Sequence, residues 1–235
     1  MSNKIKKNKI DNFTYEYEAD LLWPIEVGGE NQNVKVVMAY PLISYLPDDF
    51  LTKVSGKSLT DRYTLELMDL FITKFVIGKE IIEPGTSKFK EILDNMIQPQ
   101  IDICSEIFAE MFTNLQAQDF GYVLANDGLP VAVKCQLPIP INFKLSGGEG
   151  EHKTTIKSIT FRSPKRKEIQ QKKTLEDIAD WYMSLAETVQ ATNGKPQKED
   201  IAVLGSNLDF ANFWAINASC NKLAEESALF RPKTR

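Results

Sequence analysis

The chain has 235 residues, 43% of them hydrophobic and 26% charged, with a formal net charge of -4. These are the proportions of a folded globular protein, enough for one large domain or two small ones, and a net negative charge gives no reason to expect nucleic acid as the main partner. Cys104, Cys135 and Cys220 are widely spaced and odd in number, so neither a disulfide framework nor a paired zinc motif is visible. No stretch approaches the roughly 18 consecutive apolar residues of a membrane span, and the lysine-rich start lacks the apolar run of a secretory signal, so the expected place is the cytoplasm.

Residues 1 to 12 are polar and basic without periodicity and read as a flexible arm. Phe13 to Glu18 alternates in the manner of a strand, extended through Leu21-Leu22-Trp23. Ile25 to Val27 and Val34 to Tyr40 flank Gly28-Gly29 and read as a hairpin. Pro47-Asp48-Asp49 suits a helix start, and Thr60-Asp61 a cap for a helix with Tyr63, Leu67, Leu70, Phe71 and Phe75 on one face, closed by Gly78. A third helix begins near Ser87 and is expected to break at Pro99 before a broad apolar stripe through Leu115.

A second hairpin is expected at residues 119 to 135 around Asn126-Asp127-Gly128. Leu137-Pro138-Ile139 then leads through the Gly147-Gly148-Glu149-Gly150 loop to a strand at Thr155 to Arg162, ended by Ser163-Pro164. Thr174 caps a helix whose apolar spacing runs from Leu175 to Val189, with Gly194 and Pro196 beyond it. Asn207 or Asp209 caps the last helix. The fold class is therefore α+β, with two hairpin-plus-helices units at 13–118 and 119–226 joined by a helical segment, a basic arm at 1–12 and a loose tail at 227–235.

Residues 22 to 78 and 137 to 194 share an order of events that marks a candidate tandem repeat. Pro24-Ile25 answers Pro138-Ile139, Gly28-Gly29-Glu30 answers Gly147-Gly148-Glu149, and Pro41 answers Pro164.

Catalytic constellations are sparse. His152 is the only histidine, so one chain cannot assemble a histidine metal cluster or a Ser-His-Asp triad. Val54-Ser55-Gly56-Lys57-Ser58 lacks the first glycine of a phosphate loop, with Leu51 in its place. The adjacent carboxylate pairs Asp48-Asp49 and Glu225-Glu226 do not face each other on a helix. No metal, cofactor or enzymatic activity is expected. The sharpest charge feature is Lys165-Arg166-Lys167 with Lys172 and Lys173, following Arg162, and these six are the candidate partner-binding residues.

Leu137-Pro138-Ile139, Thr160-Phe161-Arg162-Ser163-Pro164 and Leu208-Asp209-Phe210 fall in an order that resembles the tail assembly chaperones of Mu-like contractile-tailed bacteriophages. Residues 22 to 78, with Ala39-Tyr40-Pro41 at the equivalent of Arg-x-Pro, resemble a divergent second copy, and Glu83 to Lys134 lies outside the pattern. The resemblance implies a non-enzymatic tail or baseplate morphogenesis protein, an assembly chaperone or hub-associated component. Its partners would be other tail proteins (tube, tape-measure, baseplate hub or wedge), met in the host cytoplasm or retained in the virion. The alternative is a nucleic-acid-associated protein using 165–173 and the basic termini.

Overall fold

The computed structural model describes residues 5–10, 13–47, 50, 62–116, 120–126, 128–144, 153–165, 168, 174–192, 196 and 198–229. It is a mixed α+β structure of three antiparallel sheets with helices. Two compact units are formed, one of Met1–Pro41 with Asp49–Gln116 and one of Leu42–Asp48 with Ala117–Arg235.

The first unit has a five-stranded sheet in the order β1-β2-β5-β6-β7. Strand β1, Lys6–Ile10, lies in the stretch expected to be an arm. It pairs antiparallel with β2, Phe13–Asp20, because its side chains meet carboxylates there. Lys6 Nζ stands 3.5 Å from Glu18, Asn8 Nδ2 donates to Glu16 at 2.6 Å, and Lys7 pairs with Glu110. Lysines on an edge strand also discourage further strand addition.

The chain leaves β2 before Leu21, and Trp23, expected to be extended, takes a left-handed backbone with φ 63°. Strands β3, Ile25–Val27, and β4, Glu30–Gln32, form a separate hairpin on Gly28 and Gly29, whose φ values of 63° and 80° suit the tight turn that opposes right-twisted strands. The second arm of that hairpin is therefore Glu30–Gln32. Strand β5, Val34–Ala39, instead enters the main sheet between β2 and β6, where Val34, Val36, Val37 and Met38 are buried.

Helix α1, Arg62–Asp69, is shorter than its apolar spacing implied. Ile72–Ile77 forms strand β6, which carries Phe75 and pairs with β5 and with β7, Glu80–Ile82. Three β-branched aliphatics and a threonine in six residues favour the pleated surface, and β5 would otherwise keep one side of its ladder unpaired. Helix α2, Ser87–Asn95, starts at Thr86, whose side chain accepts from the Phe89 N–H at 3.1 Å. The expected break follows at Met96–Ile97. Helix α3, Gln98–Gln116, then holds Pro99 in its first turn, where the missing N–H has no intrahelical partner to lose.

Phe71, at the junction of α1 and β6, is fully buried and centres this core. Its ring meets Phe108 edge-on at 4.9 Å, with Phe112, Phe50 and Tyr40 at 5.8, 6.0 and 6.5 Å. Tyr40 Oη donates to the Met111 carbonyl at 2.9 Å and Asn114 Nδ2 to Tyr17 Oη at 2.5 Å, fixing α3 over the sheet.

The second unit has a four-stranded sheet in the order β11-β10-β9-β8. Strands β8, Phe120–Leu124, and β9, Pro130–Lys144, join through a turn in which Gly128 has φ 82°. Strand β10, Lys153–Arg162, follows, then helix α4, Leu175–Ser184, with its Thr174 cap. Val189, expected on that helix, lies in strand β11, Ala186–Ala191, opposite Ile159. Thr188 and Val189 have the branched side chains that strands accept, and pairing them with β10 satisfies a ladder the helix would leave open. Helices α5, Lys198–Ala202, and α6, Phe210–Leu229, complete the unit, so residues 227–229 continue a helix where a tail was expected.

Pro138 and Pro140 lie inside β9. Ile141 pairs with Ile156 and Gln136 with Ser158, so Leu137 to Pro140 face Lys157 alone. The ladder cannot serve Ile139 in this bulge, and Asn212 of α6 takes its place. The Asn212 Oδ1 accepts from the Ile139 N–H at 3.2 Å and its Nδ2 donates to the Ile139 carbonyl at 2.8 Å. Asp209 caps α6 by accepting from the Asn212 N–H at 2.9 Å and from its Nδ2 at 2.7 Å. Leu42 bridges to Asp209 and the Ile43 N–H donates to the Leu208 carbonyl at 3.0 Å, which seats Leu42–Asp48 in this unit.

Pro24-Ile25 and Pro138-Ile139 fall in different settings, the first at a two-stranded hairpin and the second within the main sheet. The Gly147 to Gly150 loop lies outside the described residues, as do Val54 to Ser58, Asp48-Asp49 and Thr60-Asp61.

Two substitutions test these cores. Phe71→Ala is expected to cost about 3–5 kcal/mol, the range for truncating a buried aromatic. Asn212→Ala strands two peptide groups and is expected to cost about 2–4 kcal/mol. Both are read as a lower urea midpoint at unchanged slope.

Candidate functional site

The basic segment starts where β10 ends. The Arg162 N–H donates to the Leu185 carbonyl at 3.1 Å and the Ser163 N–H to the Val131 carbonyl at 3.2 Å, so the segment departs from a fixed point on the sheet. Arg162 does not project as a docking cation. Its guanidinium grips Glu168 with two parallel hydrogen bonds of 2.8 Å, and one nitrogen also donates to the Ser163 carbonyl at 3.2 Å.

Glu168 closes the turn from its other side as well. Its carboxylate accepts from the Lys165 N–H at 2.7 Å, its own N–H donates to the Lys165 carbonyl at 2.8 Å, and its carbonyl accepts from Trp181 Nε1 at 3.0 Å. Trp181 stands on α4, its ring 5.2 Å from that of Tyr182, whose hydroxyl donates to Asn217 of α6 at 2.7 Å. The turn is thereby tied to the helices of its own unit. The Arg162 bonds, then the Lys165 N–H, hold the Glu168 carboxyl down at about 2, while Arg162 is shifted upward by the same bond.

Lys165 is exposed at the tip of this turn. Arg166 and Lys167, between Lys165 and Glu168 in sequence, and Lys172 and Lys173, between Glu168 and Thr174, lie outside the described residues. The six cations of residues 162–175 thus divide into one that builds the turn and others that follow it in sequence. The sequence places Trp181 on a helical face as a core or interface aromatic, and it does not point to Glu168. Glu168 is the only carboxylate in residues 162–175, and that isolation among cations was the available signal.

No protein-family model, curated protein sequence or solved structure matches the chain. Among the described residues no group of three or more His, Cys, Asp and Glu side chains could hold a metal ion, and no helix is long and apolar enough to cross a membrane. His152 lies outside them. Burial pushes the Cys104 thiol up to about 12 and the Cys135 thiol up to about 11, and raises Cys220 as well, so all three are held protonated at neutral pH.

Two carboxyls are shifted the other way from Glu168. Burial pushes Asp209 up to about 6, and burial with the nearby Glu66 charge pushes Asp69 up to about 6. Because the folded values lie above the unfolded value of 3.8, the native state holds these protons more tightly. Their stabilisation is complete below about 4 and is lost as pH rises through about 6. Glu168 has the opposite sign, its contribution present above the unfolded value of 4.5 and lost as pH falls toward about 2.

Stability is therefore expected to decline between about pH 4 and 6, by about 2–3 kcal/mol for Asp209. Asp209→Asn, which keeps a capping side chain, flattens that decline in urea midpoints taken across the window. Glu168→Ala releases Arg162 and the Lys165 turn, and is expected to accelerate tryptic cleavage after Lys165, Arg166 and Lys167 in the native protein.

Proposed function

We propose that this chain is a bacteriophage tail or baseplate morphogenesis protein, an assembly chaperone or hub-associated component, that acts by protein contact through the basic segment after β10. The observation that carries the reading is the Thr160-Phe161-Arg162-Ser163-Pro164 motif. It ends a central strand, and the Arg162–Glu168 grip closes a turn within the stretch of sequence that carries the cations. A preformed turn lowers the ordering cost of docking on an acidic surface.

We also propose that the chain holds two copies of one unit. In support, leaving aside the β3–β4 hairpin and β7, which are particular to the first unit, β1, β2 and β5 are followed by α1, β6 and then a short and a long helix. The strands β8, β9 and β10 are followed by α4, β11 and again a short and a long helix. In both sheets the strand after the helix pairs antiparallel with the strand before it. Pro41 stands two residues beyond β5 and Pro164 two beyond β10.

The reading is tested by co-purification with individually expressed tail tube, tape-measure and baseplate hub or wedge proteins. The expected result is a stable complex with one of them, weakened when Lys165, Arg166 and Lys167 are replaced together by glutamate. Failure to associate with any of them overturns the proposal. Mass spectrometry of mature particles then separates a retained component from a chaperone.

A further inference from the structure

Trp23, in the first unit, combines three features that its local fold does not require. Its indole is 60% exposed, although burial is where a tryptophan contributes most to stability. Its backbone has φ 63°, a left-handed conformation that is costly for a bulky side chain. That conformation is also actively held. The side chain of Gln100, 1% exposed on α3, donates from one nitrogen to the Leu22 carbonyl at 2.9 Å and the Trp23 carbonyl at 3.0 Å. Its oxygen accepts from the Ile97 N–H at 2.7 Å. One buried amide therefore fixes the Trp23 loop beside the start of α3, where Ile97 is itself 53% exposed.

Among charged side chains, the sequence stretches that carry this apolar pair hold acidic ones only. The chain carries no Lys or Arg between Lys9 and Lys35, nor between Lys90 and Lys134. Within these stretches Glu16 and Glu18 are engaged by lysines of the sheet, and the Glu91 carboxylate accepts from the Gly28 N–H at 2.7 Å. Asp20 lies 3.9 Å from Lys35 and Asp102 accepts from Gln98 Nε2 at 2.8 Å, while Glu26, Asp94 and Asp102 are exposed on the segments that carry Trp23 and Ile97. Exposed carboxylates on these segments favour a cationic partner over an anionic lipid surface or a phosphate backbone.

We propose that the Trp23 loop is a docking point for a cationic polypeptide segment, which lays a Lys or Arg side chain against the indole and an apolar neighbour against Ile97. A cation over an exposed indole and charge pairing at the rim are complementary contacts, and a loop whose backbone Gln100 already holds loses little backbone freedom on binding. This inference stands apart from the basic segment of the second unit, and it names a partner of opposite charge to that segment's.

The test uses the full chain labelled with ¹⁵N and two probes, an acetylated and amidated peptide alternating arginine with leucine and its glutamate counterpart. The indole N–H signals of Trp23, Trp181 and Trp214 are resolved, that of Trp23 being the one lost in Trp23→Asn. The expected result is that the arginine peptide shifts the Trp23 signal and leaves the other two, while the glutamate peptide shifts none. Binding should weaken about tenfold as ionic strength rises from about 0.05 to about 0.5 M. Trp23→Asn, which tolerates the left-handed backbone, should keep the parent melting temperature and lose the peptide. The proposal is overturned if the arginine peptide fails to bind, if the glutamate peptide binds equally, or if Trp23→Asn retains binding. A markedly lower melting temperature for Trp23→Asn overturns it too, since the indole would then be a packing group. Self-association of the parent chain that Trp23→Asn abolishes would make the occupant a second copy and also overturn it.

Discussion

The second unit depends on one side-chain amide. Two prolines in β9 remove ladder donors on either side of Ile139 and push four residues out against one, a break that would leave a peptide unpaired at the centre of a sheet. Asn212 mimics a neighbouring strand, offering an acceptor and a donor to the same peptide while Asp209 holds its amide in orientation. Asp209 also starts the helix that carries Asn212 and receives Leu42, so the bulge, the cap and the returning segment form one connected network. Such networks fix geometry strongly when fully satisfied and cost heavily when one member is lost.

The same device recurs at Gln100, where a buried amide fixes an irregular stretch of backbone by bonding peptide groups. At the root of the basic segment the work is done by charge instead. Arg162 and Glu168 close a turn at the surface, where a bidentate pair keeps its geometry although solvent weakens its energy. The first unit thus has an exposed tryptophan on a loop that Gln100 holds, and the second a turn that Arg162 and Glu168 close around Lys165.

The elements that sequence placed well were those set by local rules. Thr86 and Thr174 cap helices through bonds to residues three further on, and Pro99 opens a helix because its first turn has no bond to lose. Two departures from the sequence expectation share one cause. Phe75 and Val189 both satisfy helical spacing, yet each follows a short helix directly into a strand whose partner is far away in sequence. Spacing of a few apolar residues is compatible with either state, and the decision belongs to the open ladder of β5 or β10. Lys6–Ile10 was read as an arm for the reverse reason, since its charges suit a strand only once Glu16 and Glu18 are known to lie opposite.

For the candidate site, the run of cations after Arg162 was visible in sequence, but the role of Arg162 was not. A guanidinium six residues from a carboxylate is solvated charge unless the chain turns back on itself, and that turn is held by Trp181 from a later helix. By itself the sequence determined the α+β class, the turns at Gly28-Gly29 and Gly128, the helix starts near Ser87 and at Thr174, and the position of the basic run, because each rests on preferences of a few adjacent residues. Only the tertiary structure decided which residues pair across the sheets, which cation is committed to a carboxylate, and that Leu42–Asp48 is seated with the second unit, because these follow from satisfying buried peptide groups and charges with partners remote along the chain.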